Sequence, residues 1–256
     1  MTTTYQLKQW AEAVIPKKYL REAGLLVLRT TSFLYKGQQY NCPCCGHSFR
    51  SFASYGYQTR PNALCRWCLS LERHRGLWLY LHEQTNILTQ PVKMLHFAPE
   101  HQFQELFKNT PSIDYTSADL DMPTAMLKMD ITNITFPDNT FDVIMCNHVL
   151  EHVPDDRKAM NELFRVLKPG GQAILQTPMS NKAQTEEDLN ITDPKKREQL
   201  YGQNDHVRTY GMDKKNRLES VGFAVKLDKY LFELPEEIIQ KHAIIREDIW
   251  IGKKER

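Results

Sequence analysis

Two Cys-x-x-Cys pairs constrain this chain more than any other feature of its sequence. Cys42-Pro43-Cys44-Cys45 and Cys65-Arg66-Trp67-Cys68 stand nineteen residues apart, and five of the six cysteines lie between Cys42 and Cys68. Each short turn aims two thiolates at one point, and two such turns suit one tetrahedral ion. Cys42, Cys45, Cys65 and Cys68 are therefore the expected ligands of a Zn²⁺, with Cys44 left over. Cys44 in place of Cys42 or Cys45, or His47 entering the shell, are the alternatives. Four protein ligands leave no open position for water, so the expected role is structural. Gly46 permits the tight turn after the first pair.

The rest of the 256 residues has an ordinary composition, 41% hydrophobic and 25% charged. No apolar run approaches the ~20 residues needed to cross a membrane. The opening MTTTYQLKQW has no apolar core of a secretion signal, so a cytoplasmic location is expected. Charge is unevenly spread: 11 Lys+Arg face 4 Asp+Glu through residue 90, and 22 face 27 beyond it. A basic front of this kind suits phosphate, or the acidic remainder of the chain.

Hydrophobic spacing divides the chain into residues 1–90, helices plus the cysteine module, and residues 91–256, a second domain. Residues 5–36 read as an amphipathic helix set on Trp10, Ala13, Val14, Ile15, Leu20, Leu25 and Leu28, broken at Pro16. Residues 70–84 read as a further helix, on which Glu72 and Arg75 pair or Arg73, His74 and Arg75 bind an anion. From residue 92 strands alternate with helices: strands at 92–98, 114–121, 127–132, 141–149 and 172–178, helices at 101–109 and 155–167. Gly170 and Gly171 of KPGG are expected to end the second helix. Two late strands, 224–232 and 247–254, are expected to pair antiparallel, and the polar stretch 180–204 reads as an insertion or lid. Such alternation predicts an α/β fold with a doubly wound, mostly parallel sheet behind a small N-terminal helical and zinc-ribbon-like module.

Residues 127–178 carry a more specific pattern. Asp130 follows the third strand of the alternation, Pro137-Asp138-Asn139-Thr140-Phe141-Asp142 leads into the fourth, Leu150-Glu151-His152 follows it, and Arg165-Val166-Leu167-Lys168-Pro169-Gly170-Gly171 precedes the fifth. This block resembles class I S-adenosylmethionine (SAM)-dependent methyltransferases with a type 11-like domain, and the resemblance extends over roughly residues 92–254. It implies a Rossmann-like, seven-stranded sheet with an antiparallel last strand, and SAM as cofactor. Carried over residue by residue, it puts ribose on Asp119 or Asp121, adenine on Asp130 and the Ile131 backbone, and the sulfonium near Asn147 and His148. A helix cap or solvated turn is the plain alternative for each of these acids.

The sequence departs from that family after the first strand, where a glycine-rich loop is usual. Here the chain reads Phe97-Ala98-Pro99-Glu100-His101, and Glu100 is the expected holder of the SAM ammonium group, beside Ala98. The cysteine module, LHFAPE and Asp205-His206-Val207-Arg208-Thr209-Tyr210 together resemble a bacterial zinc-containing subgroup of the family. His206 is the expected general base, with His148 as a second candidate, and Arg208 and Tyr210 are expected to hold the acceptor. The resulting expectation is methyl transfer from SAM to O or N of a small-molecule or glycan-linked acceptor. RNA methylation guided by the basic module, or a non-catalytic binding protein on the same fold, are the alternatives.

Overall fold

The computed structural model describes residues 17–56 and 59–255. The expected helical residues 5–16, with Trp10 and Pro16, lie outside them, as do the side chains of Leu20 and Leu25. The chain forms two compact units. One comprises the residues up to Tyr80 together with Leu234–Arg246, and the other comprises Leu81–Glu233 and Glu247–Arg256.

In the first unit a helix spans Lys17–Thr31 and a second begins at Glu72, running to Gln84. Between them two small antiparallel ribbons pair Lys36–Asn41 with Ser48–Phe49 and Ala53–Tyr55 with Arg60–Leu64. Ribbons this short cannot satisfy the backbone around them, and one side chain takes up the deficit. The fully buried Arg75 guanidinium donates to the carbonyls of Ala63, Ser70, His242 and Ala243 at 2.6–3.0 Å, over the ring of Phe52. Glu72 therefore does not pair with Arg75, as helical spacing suggested. It receives two hydrogen bonds from Arg60, at 2.8 and 3.2 Å.

The second unit is built on seven strands: β1 Val92–Phe97, β2 Ile113–Asp119, β3 Leu127–Lys128, β4 Phe141–Cys146, β5 Leu167–Ile174, β6 Ala224–Asp228 and β7 Ile249–Lys253. Their order across the sheet is β6-β7-β5-β4-β1-β2-β3. β1 to β5 pair parallel, and β7 runs antiparallel between β5 and β6. This is the doubly wound sheet with one reversed strand that the alternation implied. Its central strands are near-continuous apolar runs because helices cover both faces. The helix Asp156–Val166 shows the matching stripe, with Ala159, Met160, Leu163 and Val166 buried and its start capped by Asp155 accepting from the Lys158 N–H.

Several local expectations are corrected. The second strand ends at Asp119, which turns the chain by accepting at Oδ1 from the Asp121 and Met122 N–H groups, and the third shortens to two residues, followed by a turn in which Asp130 Oδ1 accepts from the Thr132 N–H. Lys168-Pro169-Gly170-Gly171 does not cap the preceding helix. The backbone is already extended at Leu167, and the four residues belong to β5, where Gly170 takes φ of +83°. The first late strand ends at Asp228, and Tyr230–Glu233 is helical instead. The polar stretch holds the pair Glu186–Glu187 with Arg208–Thr209 and a helix Pro194–Tyr201 capped by Asp193. No helix among the described residues is long and apolar enough to cross a membrane.

A Cβ on Gly171 would meet the Asp142 carbonyl at 2.8 Å and Leu167 Cδ1 at 2.9 Å. Gly171→Ala should therefore destabilise the protein by about 1–3 kcal/mol, read as a lower urea midpoint with unchanged slope.

Candidate active site and cysteine cluster

The sheet order reverses between β1 and β4, so the chain leaves their C-terminal ends in opposite directions and a crevice opens there. A cleft of about 670 Å³ lies at that edge, a volume suited to a nucleoside-sized ligand. Ala98, Asp119, Asp121, Asp130, Ile131 and His148 all line it, together with His152 and Asp205. Six of the expected cofactor and catalytic residues thus meet in one place.

Local chemistry orients them. Asp119 and Asp130 each spend Oδ1 on backbone N–H groups of their own turns, which fixes the carboxylate planes. Ala98 takes φ of +46°, the left-handed region that a glycine would enter freely, and its N–H donates to the Ala118 carbonyl. The missing glycine is thereby replaced by a strained alanine of the same handedness. Glu100 does not line the cleft. Its Oε2 lies 2.6 Å from Nε2 of the buried His96, which also holds the Tyr115 hydroxyl at 3.0 Å through Nδ1. Asn147 is buried beside it, its amide 3.4 Å from Glu100 Oε1.

The residues expected to bind the acceptor are placed differently. Arg208 is only 1% exposed and donates to Glu187 and to the carbonyls of Leu150, Val153 and Pro154. Tyr210 is fully buried and donates to Asp156 Oδ2 at 2.7 Å, and burial followed by the Asp156 charge pushes its phenol well above the ordinary tyrosine range. Neither lines the cleft; both secure the segment that forms its wall. His206 is 2% exposed, and its Nδ1 lies 2.9 Å from the Tyr201 carbonyl. Burial holds its pKa below the ordinary histidine value. His148 faces the cleft in a left-handed backbone conformation (φ +55°), with Nδ1 3.4 Å from Glu151 Oε1. Burial opposes the Glu151 carboxylate, but the His148 imidazole beside it prevails and keeps the acid below its usual range.

Nothing in the sequence singles out Glu151 beyond its place in Leu150-Glu151-His152, or Lys214 at all. Lys214 is fully buried and donates to the Leu175 carbonyl at 2.6 Å and the Thr177 hydroxyl at 2.8 Å, just beyond β5. A lysine is a poor candidate for burial on sequence alone, since charge normally keeps it outside.

The cysteine cluster lies wholly in the first unit. Ligand atoms of Cys42, Cys45, Cys65 and Cys68 fall within 4.8 Å of one another, with Cys42–Cys68 at 3.6 Å and Cys45–Cys65 at 3.7 Å. Four sulfurs at about 2.3 Å from one ion would lie about 3.8 Å apart. Cys44 points elsewhere, its Sγ 3.8 Å from the His74 carbonyl, and His47 stacks on Trp67. Arg75 and His74, considered for anion binding, are buried.

Comparison with known proteins is consistent with this architecture. Residues 93–175 match the family described as a methyltransferase domain. A ubiquinone/menaquinone biosynthesis C-methyltransferase of Hydrogenovibrio crunogenus is 48% identical over 48 residues, 18% of this chain and 19% of that protein. A demethylmenaquinone methyltransferase of Listeria monocytogenes is 39% identical over 67 residues, 26% of this chain and 28% of that one. The chain thus spans under a third of the length of these curated relatives. A SAM dependent methyltransferase of Archaeoglobus fulgidus aligns over 69% of this chain and 92% of its own, at 17% identity and a TM-score of 0.47.

Burial lowers the Lys214 pKa from 10.5 to about 7. Between those values the unfolded chain binds more protons than the folded one, so stability should rise with pH across that window. Lys214→Met should flatten the rise by up to about 1.4 kcal/mol per pH unit, measured as the difference between variant and parent urea midpoints from pH 7 to 9. Residues 93–175, the segment that matches a methyltransferase domain, lie on the sheet whose order reverses at the acid-lined cleft.

Proposed function

We propose that this protein transfers a methyl group from SAM to an oxygen or nitrogen of a small-molecule or glycan-linked acceptor. The observation that carries the reading is the convergence of Asp119, Asp130 and Ile131 on one cleft inside the matched segment. Bound there, SAM would supply an electrophilic methyl on a positively charged sulfur. The donor set fits such a molecule. Asp119 keeps its second oxygen for ribose hydroxyls, and Asp130 with the Ile131 N–H suits an adenine edge. The tight turn at Ala98 would present backbone to the amino-acid part, while Glu100, held by His96 and outside the cleft lining, is not part of this donor set.

His148 is the proton acceptor in this reading, because it faces the cleft while His206 does not. The Glu151 carboxylate, 3.4 Å from its Nδ1, favours the cation that forms when the acceptor loses its proton. Alignment of acceptor and methyl does most of the remaining work, and the buried Arg208 serves it by fixing residues 150–154 at the cleft wall. Tyr210 acts likewise through Asp156. The four-cysteine cluster is read as a structural zinc site, its four thiolates closing the coordination sphere.

Calorimetry with SAM tests the first reading. The protein should bind one equivalent, and Asp119→Ala should weaken binding by about 1.5–3 kcal/mol while leaving the melting temperature within a few degrees. Absence of binding by the metal-loaded parent would refute it. His148→Gln should lower kcat with little change in SAM affinity. For the cysteine cluster, titration with an organomercurial in the presence of a zinc indicator should release one zinc as four thiols react; thiol reaction without zinc release would reject that site.

A further inference from the structure

A second cluster of metal-ligating side chains, one of which, His152, lines the cleft, stands apart from the cysteines. One ligand atom from each of Glu151, His152 and His206 lies within 4.8 Å of the others. Glu151 is 1% exposed, and neither carboxylate oxygen has a hydrogen-bond partner; His206 Nε2 is equally buried and equally unpartnered. Stranding a carboxylate and an imidazole nitrogen in one dry spot costs about 1–3 kcal/mol per group, more for the charge. Such orphans, aimed at a common point, mark a place where something else completes the bonding.

The surroundings narrow what that is. The His206 Nδ1–H is committed to the Tyr201 carbonyl at 2.9 Å, which leaves Nε2 as a lone pair. His152 Nδ1 lies 3.4 Å from Asp205 Oδ2. Histidines that hold metals are oriented in this way, one ring nitrogen on a carbonyl or carboxylate and the other on the ion. The two rings stand nearly perpendicular with centroids 4.6 Å apart, as two ligands on adjacent corners of one sphere can. A third imidazole, His148, approaches Glu151 Oε1 at 3.4 Å without hydrogen-bond alignment, so both carboxylate oxygens keep their lone pairs for another partner.

From this arrangement we propose that Glu151, His152 and His206 bind a first-row divalent transition-metal ion. Two imidazoles and one carboxylate suit Zn²⁺, Co²⁺ or Fe²⁺, and three protein ligands leave coordination positions open. Ligand distances of about 2.0–2.2 Å require the three groups to draw together, and the half-buried His152 has the freedom to turn. Because His152 also lines the cleft, the open positions face it. In the methyl-transfer reading, on which this last point alone rests, they would receive an acceptor oxygen and favour its deprotonated form.

The test measures metal binding and needs neither SAM nor turnover, so its failure would leave methyl transfer standing. Full-length protein with its cysteine cluster saturated with zinc is titrated with Co²⁺ in the absence of SAM. One further equivalent should bind, giving weak visible ligand-field bands without the near-ultraviolet charge transfer of cobalt thiolates. Glu151→Gln, which keeps the side-chain shape, and His206→Ala should each weaken Co²⁺ binding by more than the ~10–100-fold typical of losing a supporting contact, with zinc content unchanged. No Co²⁺ uptake by the parent would overturn the proposal. So would uptake with thiolate bands, or equal affinity in a folded Glu151→Gln protein.

Discussion

The reversal of strand order between β1 and β4 is the constraint on which the cleft depends. Two neighbouring parallel strands end side by side, and their continuations leave toward opposite edges of the sheet. No backbone then crosses the space beyond their ends, and whatever side chains follow those strands must face one another. Asp119, Asp130, Ala98 and His148 owe their convergence to that geometry, since each sits within a few residues of a strand end. The loops need only brief turns, supplied by aspartates accepting from their own backbone and by left-handed φ at Ala98 and His148.

Irregular backbone between the strands has to be satisfied without a ladder, and guanidinium groups supply the donors. Arg208 gathers the carbonyls of residues 150, 153 and 154, and Arg165 those of Ile134 and Phe136 while pairing with Glu162 and Asp138. Arg75 performs the same task in the cysteine-bearing unit. An arginine's fixed fork of five donors suits this work better than any other side chain. Loops anchored in this way hold the acids and histidines in place at a cost in desolvation that the carbonyls themselves offset.

That use of arginine also marks where the sequence could be read and where it could not. The apolar runs FDVIMC and VKMLHF, the helix stripe after Asp155 and the cysteine spacing are local signals, and each produced the element it suggests. The convergence of Asp119, Asp121 and Asp130 on the cleft was legible because strand ends in a doubly wound sheet have a known destination. The burial of Arg208, Tyr210 and His206 was not legible, because a polar residue near an insertion looks the same in sequence whether it faces solvent or carbonyls. The burial of Glu151 was not legible because a carboxylate beside a helix entry normally caps it, and only tertiary packing strips it of hydrogen-bond partners. Lys168–Gly171 illustrates the same limit in the backbone, where pairing of Gly170 and Gly171 with Lys254, distant in sequence, outweighs the local preference to end a helix.

The most direct measurement is a crystal structure of the protein grown with S-adenosylhomocysteine. The nucleoside should lie in the cleft beyond β1 and β4, with its ribose on Asp119 and its adenine against Asp130 and Ile131. Density for the nucleoside at any other surface, or an unchanged cleft at saturating ligand, would contradict that placement.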